Sequence, residues 1–514
     1  MLLELPLYNA FKRIQLRPTR FITTLVLTLF VLIFITFILW FDTYQKYPLY
    51  TEIFFKNFGR NFSYIMIILQ FLTLTLLGTA TVESRVRLDT TSGIISFHKL
   101  TPLSPHNLIW GYILGSTFEI YISWSIFFIF GFLGVPLKGI PFYKYLFSSF
   151  LIVLSSIFFH IFALMNSLGR PLIYAGRGSI LSSSFFFVII IISFFHKLNI
   201  GFLTPFPSLF GILQEKNRIF LNSYYSILNV PFFYFYIPPF AYSLILWISF
   251  GSIFYFSSKR RIIYEENPFF SKKESIFLLC IICFLVIGRI TGILNLNPDF
   301  SFVEKSPSIE TKAEFYIFLS KIIILFSSII LLLMTFPRRL DLIRQFIRKK
   351  RGEKIFWWEN EASSLIINFL ILIISVFSIF IIDTYVSLTG LLKSCWLENI
   401  LRILIFISSM LFFNFLIEGC RLKFEKGADN ISGLIIVFWF LLIPVSYIIY
   451  ALNVENPKLL FMSFSPLPFL IFTGKPSAEI RNSAFLCLII TNLILFLTFL
   501  FWKKAKIDFG EKYG

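Results

Sequence analysis

The chain has 514 residues, of which 57% are hydrophobic, 20% aromatic and only 14% charged. Soluble proteins carry about 25% charged residues, so this composition excludes an ordinary soluble domain. A net charge of +19 would indicate a nucleic-acid partner in a soluble protein. In a membrane protein such an excess belongs to the segments that flank the spans, and no nucleic-acid partner is expected.

An amphipathic helix is predicted before the first apolar run. Four apolar residues recur there at helical spacing, with basic residues on the other faces: Leu3, Leu7, Phe11 and Ile14. This pattern is typical of a helix that lies in the membrane interface, where basic groups meet anionic headgroups. No small-residue cleavage site follows the first span, so we expect that span to remain as an anchor.

Twelve apolar runs approach the roughly 20 residues that a membrane span needs. They lie near 21–41, 62–82, 108–134, 145–167, 179–196, 238–257, 275–294, 315–336, 364–386, 400–418, 431–451 and 482–502. With the N-terminus inside, lysine and arginine are about twice as frequent in the cytoplasmic segments as outside. The sequence therefore predicts an all-α polytopic membrane protein with about twelve transmembrane helices and both termini cytoplasmic.

The spans divide at the basic stretch Lys259–Lys273 into residues 1–258 and residues 259–514. In each half the longest cytoplasmic loop follows the second span, at 83–107 and at 337–363. The longest outside segment of each half precedes its sixth span. This shared layout favours two six-helix halves, the second a degenerate repeat of the first, which is a recurrent transporter design.

The most informative polar segment lies between the second and third spans. Thr90–Gly93 predicts a helix break, and Ile94–Leu100 predicts a short helix of about two turns. Thr101–Leu103 predicts a turn, because proline disfavours helix at the residue before it. Ser104 and Pro105 are suited to be the N-cap and first residue of span three. A short helix between two breaks is suited to docking a cytoplasmic partner.

At these residues the chain resembles the permease subunits of ABC-2-type transporters, mainly over residues 1–258. The matching positions hold an acidic and a basic residue, a glycine, a T-P-L-S run and a later Ile and Gly: Glu83, Arg85, Gly93, Thr101, Pro102, Leu103, Ser104, Ile109 and Gly111. The sequence departs from the family at two positions. Ile94 follows the glycine where the family has threonine, and Tyr112 stands where the family has lysine.

The resemblance implies a multi-pass permease of an ATP-driven exporter in the bacterial cytoplasmic (inner) membrane. Loop 83–107 would be the coupling helix that rests on a separate ABC ATPase subunit. The implied coupling residues are Glu83, Arg85, Arg87, Gly93, Thr101, Pro102, Leu103 and Ser104. The sequence holds no G-x-x-x-x-G-K-[ST] phosphate loop, so the partner subunit would use the ATP. We expect this chain to be no enzyme and to bind no cofactor or metal; membrane lipids and self-association are further expected contacts.

The basic loop of the second half has two interpretations. Its centre is the run Arg348, Lys349, Lys350 and Arg351. If the second half is a repeat, this run would be a second docking loop for the ATPase, and one chain would supply the whole pore. Alternatively, the run determines topology and lies on anionic lipid.

Two ionisable residues fall deep within predicted spans. A charged group there costs roughly 3 kcal/mol on insertion scales, so each needs a partner or a function. Glu119 would contact the transport path or pair with a polar group on a neighbouring helix. His160 would pair with Glu119 or be a core histidine satisfied by its surroundings.

Two other classes of protein fit the sequence less well than the permease. A secondary carrier of the major facilitator kind would carry a G-x-x-x-D-R-x-G-R-R-like loop between spans two and three, which this sequence lacks. A membrane-embedded transferase using lipid-linked donors needs clustered carboxylates or histidines. Only 4 histidines are present, and the acidic residues outside the spans are scattered.

Overall fold

The computed structural model describes most of the chain. The described residues are 6–47, 51–100, 103–137, 140–168, 202–213, 230–263, 270–296, 339–356, 359, 362, 365–388, 396–424, 431–432, 434–435 and 478–513, with isolated helical positions between 317 and 335.

Within that part of the chain, 8 helices are long and apolar enough to cross a membrane, and a bent pair makes up to 9. The protein is therefore a helical, multi-pass membrane protein. The predicted span near 179–196 lies outside the described residues. Those near 315–336 and 431–451 are described only at isolated positions. The number of twelve spans and the cytoplasmic placement of both termini stay predictions.

The chain forms two compact units, one of residues 1–230 and 237–266, the other of residues 231–236 and 267–514. The described helices of the first unit are α1 Pro6–Gln15, α2 Pro18–Lys46, α3 Glu52–Phe71, α4 Gly78–Thr91, α5 Ile94–Leu100, α6 Pro105–Trp110, α7 Phe118–Leu133, α8 Phe142–Leu168, α9 Phe206–Leu213 and α10 Pro239–Ile263. Two π-helical segments, Leu72–Leu77 and Gly111–Gly115, join α3 to α4 and extend α6.

The second predicted span is longer than its apolar run. α3, the first π segment and α4 form one helix from Glu52 to Thr91, which is 40 residues. At about 1.5 Å per residue it is roughly twice the hydrocarbon thickness, so one end projects beyond the membrane core. The prediction that residues 83–91 begin a loop was therefore wrong. Val82 and Val86, both fully buried, hold this extension against the rest of the unit.

The third predicted span is broken. α6 with its π segment and α7 are bent by 48° relative to each other. Thr117, at the break, has φ −101° and ψ 10°, outside the helical region. A π segment is one of the recognised causes of a sharp helix kink, and such segments are often found at functional sites.

The described elements of the second unit are five helices and the tip of a hairpin. The tip is residues 231–236, from the strands β1 Val230–Phe232 and β2 Phe235–Ile237, whose outer ends belong to the first unit. The helices are α11 Lys272–Leu296, α12 Arg339–Lys350, α13 Leu365–Leu388, α14 Trp396–Lys423 and α15 Ala478–Tyr513. α14 and α15 pack along their length around an aromatic core that includes Phe406, Phe412 and Phe413. The β-hairpin was not predicted and is the one described departure from an all-α fold.

The hairpin tip rests on two glycines of α11. Phe233 has a left-handed φ of 52°, and its N–H donates to the Gly288 carbonyl at 2.7 Å. A Cβ atom on Gly288 would lie 2.4 Å from the Phe232 ring, and one on Gly292 would lie 2.4 Å from the Pro231 carbonyl carbon. Only glycine permits this approach, because real side chains do not tolerate such distances.

Candidate functional site

The short helix predicted between spans two and three is confirmed as α5, Ile94–Leu100. Gly93 precedes it with φ +75°, a left-handed conformation that glycine adopts without steric cost. The N–H of Ser92 donates to the Leu88 carbonyl (2.9 Å) and ends α4, while the N–H of Phe97 donates to the Gly93 carbonyl (3.0 Å) and begins α5. Gly93 therefore redirects the chain from one helix into the next.

The two faces of α5 differ sharply. Ile95 is 2% exposed and belongs to a core formed with α1, α4, α6, α8 and α10, whereas Phe97 is 63% exposed. Leu103 packs against the edge of the same core. Thr101 and Pro102 lie outside the described residues. α5 thus combines a buried anchor with an exposed aromatic side chain, a combination that suits a docking surface.

The predicted start of span three is confirmed. The Ser104 hydroxyl accepts the N–H of Asn107 at 3.2 Å, and Pro105 is the first helical residue. One residue further, Nδ1 of His106 is hydrogen-bonded to the Tyr255 hydroxyl on α10. The end of the loop is therefore fixed both to its own helix and to a neighbouring span.

A network of four side chains joins α4 to α1 and to the second π segment. Nε of Arg85 lies 3.5 Å from one carboxylate oxygen of Asp89, and the Tyr112 hydroxyl donates to the other at 2.9 Å. The Arg85 guanidinium lies 4.7 Å from the centroid of the Phe11 ring, which contacts the Tyr112 ring at 5.6 Å. Asp89 is only 3% exposed, so these partners offset the cost of burying its charge.

Sequence reasoning missed Asp89 and Tyr112. The four-residue spacing of Arg85 and Asp89 on one helix was a usable signal, because such residues are neighbours on a helix surface. Of the other predicted coupling residues, Glu83 is 1% exposed and Arg87 is half-buried. A side chain buried as deeply as Glu83 does not meet a docked partner directly.

α1 packs against the second π segment through two glycines. A Cβ atom on Gly111 would lie 2.8 Å from Cβ of Leu7, and one on Gly115 would lie 2.9 Å from the Phe11 ring. Ile14, predicted on the apolar face, is 37% exposed, and the buried row continues instead with Gln15 at 6%. α1 is therefore packed against other helices of the first unit. A helix that lay only on the lipid surface would not make these contacts.

Gln15 satisfies the backbone where span three breaks. Its Nε2 donates to the Ser116 carbonyl at 2.6 Å, and its Oε1 accepts the N–H of Glu119 at 3.2 Å. These are groups that a continuous helix would pair internally. Glu119 lies half-buried in the first turn of α7, where the helix dipole favours a carboxylate. The predicted transport-path residue is thus positioned by the side chain of α1.

His160 is bonded to the backbone. It is fully buried on α8, and its Nε2 lies 3.0 Å from the Leu74 carbonyl in the first π segment. A carbonyl only accepts, so Nε2 carries the hydrogen. A Cβ on Gly78 would lie 2.4 Å from that nitrogen, so the imidazole fits against bare backbone. The Nε2 contact is with Leu74; a direct role of His160 in transport stays a prediction.

The predicted second docking loop, around residues 348–351, is followed by a turn that several hydrogen bonds and ion pairs hold in place. Arg348 bonds two carboxylates, Glu353 at 2.8 Å and Glu359 at 2.6 Å. Glu359 also accepts the N–H of Phe356 at 3.1 Å, and these two contacts lower the pKa of its carboxyl group, the backbone bond most. Lys272 Nζ donates to the Glu359 carbonyl at 2.7 Å. Arg348 is therefore engaged within the unit, whereas the other three cations of the run, Lys349, Lys350 and Arg351, are exposed.

A ladder of polar pairs crosses the second unit between the helical positions at 317–335 and α13. The members among the helical positions at 317–335 are seven positions apart, and each has a partner on α13: Lys321 with Asp383 (2.5 Å), Ser328 with Ser375 (2.5 Å) and Thr335 with Asn368 (3.3 Å). The residue numbers on α13 fall from 383 to 368 as those of their partners rise from 321 to 335, so the two segments run antiparallel. Asn368 also bonds Asn414, which extends the ladder to α14.

Within the described residues, no group of three His, Cys, Asp or Glu side chains is arranged to hold a metal ion. Comparison of the chain with models of protein families, with curated proteins and with solved structures found no match. The features of this chain that bear on function are therefore the geometry around α5 and the resemblance in residues 83–111.

Proposed function

We propose that the chain is the membrane-spanning permease component of an ATP-driven exporter of the ABC-2 type in the bacterial cytoplasmic membrane. A separate ATPase subunit docks on the segment 83–107, which includes the end of α4 and all of α5, and hydrolyses the ATP. The observation that carries the proposal is α5, a 7-residue helix that buries Ile95 in the core and exposes Phe97. Such a helix is attached to two spans and still offers a surface to a partner.

The contacts around α5 support a mechanical role. α4 and α6 leave the loop as the ends of spans two and three. The bond between Asp89 and Tyr112 ties those spans together. Gln15 then reaches the break in span three, where Glu119 begins α7. A displacement of α5 is thereby passed to span three through packed side chains and buried hydrogen bonds, which transmit strain well.

The test is co-expression with the ABC ATPases of the same genome, followed by purification of the complex and measurement of ATP hydrolysis. We expect Phe97→Ala to weaken assembly and the chain-dependent ATPase rate, because it removes an exposed anchor. Tyr143→Ala is the matched control, since Tyr143 is 67% exposed at the predicted outer end of α8.

Unchanged assembly and ATP hydrolysis after replacing Phe97, Thr101, Pro102 and Leu103 together would refute the coupling assignment. Transport that persists after ATP depletion and collapses with the proton gradient would instead favour a secondary carrier.

A further inference from the structure

α12 lies along the final turns of α14 and α15. Leu342 of α12 is 1% exposed and packs with Leu422 of α14 and with Trp502 and Phe509 of α15. The Phe346 ring contacts the Phe509 ring at 5.3 Å. An amphipathic helix therefore sits where the apolar part of α15 gives way to its basic end.

Exposed cations surround this junction, and we call them the basic collar. They are Lys349, Lys350, Arg351 and Lys354 at the end of α12, and Lys503, Lys504 and Lys506 on α15. Within the described part of the chain none of the seven forms an ion pair. A nearby acid, Asp508, is already paired with Lys423 at 2.7 Å. The collar thus carries a net positive charge.

Apolar side chains are exposed among these cations. Ile507 is 54% exposed, Phe356 is 52% and Ile347 is 39%. Nζ of Lys506 lies 4.6 Å from the centroid of the Trp502 ring, a cation–π contact. Cations interleaved with apolar groups match the boundary between lipid headgroups and acyl chains.

The position of the lysines along α15 also suits a headgroup site. Leu500 is the last exposed apolar residue of α15 before the cations, and Lys503 follows three residues later. With the hydrocarbon edge placed at Leu500, a rise of 1.5 Å per residue puts Lys503 about 5 Å beyond it, a distance that a lysine side chain spans easily.

We propose that the basic collar binds the headgroups of anionic phospholipids. The exposed apolar residues favour lipid over the alternative occupant, an acidic surface of the ATPase. The proposal does not depend on the proposed transport function, because it concerns only this chain and the bilayer.

The test uses the full chain purified in detergent and titrated with phosphatidylglycerol or with phosphatidylcholine of the same acyl chains, with bound lipid counted by native mass spectrometry. We expect the wild type to prefer phosphatidylglycerol. The triple variant K503Q/K504Q/K506Q should lose about fivefold in affinity for that lipid per lysine removed. Its binding of phosphatidylcholine should not change.

The matched control is K46Q/K56Q/K144Q, which removes three lysines at predicted outer ends of helices in the first unit. It should keep the wild-type preference. If the first triple does not elute as a folded monodisperse protein, K349Q/K350Q/R351Q removes the other arm of the collar and should weaken the same preference. A wild type that binds both lipids equally overturns the proposal. So does a folded collar variant with wild-type preference, whether or not it loses assembly with an ATPase.

Discussion

Tyr112 departs from the family pattern and makes contacts of its own with Asp89 and Phe11. The resemblance places a lysine at this position, and a lysine there would also meet an acidic group. Here the tyrosine hydroxyl donates to Asp89 at 2.9 Å, and its ring packs on Phe11. Arg85 supplies the positive charge from the other side. One side chain thus joins span three to the carboxylate and to α1 together.

Tyr112→Phe should destabilise the protein by about 1.5–3 kcal/mol, because it removes a hydrogen bond to a buried charged group. Thermal unfolding of the purified chain in detergent measures the effect as a lower midpoint. Tyr143→Phe, at an exposed tyrosine, should leave the midpoint unchanged. Equal midpoints for wild type and Tyr112→Phe would show that the bond to Asp89 adds nothing to stability.

Glu359 makes the turn after α12 sensitive to acid. Its pKa in the folded state is lowered by the Phe356 N–H and by Arg348. The stabilisation is therefore fully present above the ordinary glutamate pKa and is lost as the pH falls through the lowered value. Glu359→Gln should speed hydrogen exchange at Phe356 at neutral pH, and the difference from wild type should vanish in acid. Glu353→Gln, which leaves the Phe356 bond intact, is the control; a pH-independent difference would contradict the assignment.

Pairs of glycines four residues apart recur at the level of elements. Gly111 and Gly115 admit α1, and Gly288 and Gly292 admit the hairpin tip. Small residues at this spacing let backbones approach closely inside membranes, where packing replaces the hydrophobic effect as the driving force. The two pairs therefore fix accessory segments onto spans, and neither pair joins two spans.

Gly115→Ala should loosen α1. The new Cβ would lie 2.9 Å from the Phe11 ring and 3.1 Å from the Tyr8 backbone, so α1 must shift away from span three. Faster hydrogen exchange in α1, measured by mass spectrometry, is the expected result. Gly251→Ala is the matched control, because its Cβ would meet its nearest neighbour at an ordinary 3.4 Å. Unaltered exchange in α1 would mean that the helix is held elsewhere.

The polar ladder of the second unit predicts that the stability effects of replacing its paired residues are not additive. Lys321 is 2% exposed and Asp383 is 12%, so removing either partner takes a compensating charge away from a group with little access to water. Lys321→Met and Asp383→Leu should each cost about 3–5 kcal/mol of stability, and the double variant less than the sum. A double-mutant cycle on unfolding measures the coupling. The exposed pair Lys423 and Asp508 should show no measurable coupling, and additivity at Lys321 and Asp383 would exclude a stabilising ion pair.

For the whole molecule, the membrane class followed from composition, because repeated apolar runs of about 20 residues match the thickness of a bilayer. Local chemistry also predicted α5 and the Ser104 cap, since glycine, proline and serine act through their own backbone preferences. Neither result required knowledge of distant contacts.

What sequence reasoning missed depends on distant contacts. α4 continues to Thr91 because Val86 and Asp89 pack against other helices, which its own polarity does not reveal. The role of Gln15 was not predicted for a similar reason, because its hydrogen-bond partners are backbone groups 101 and 104 residues away along the chain. The hairpin of the second unit depends on glycines in another element. The repeat relation between the two halves stays a prediction.

The most direct test of the central claim places a photo-cross-linker at position 97 of the full chain in cells that also express its ATPase. Phe97 is replaced by p-benzoylphenylalanine, and Tyr143 is replaced in the same way as a control at an equally exposed site. We predict an adduct with the mass of the ATPase subunit from position 97 and none from position 143. No adduct from position 97, or equal yields from both positions, would contradict docking of an ATPase on α5.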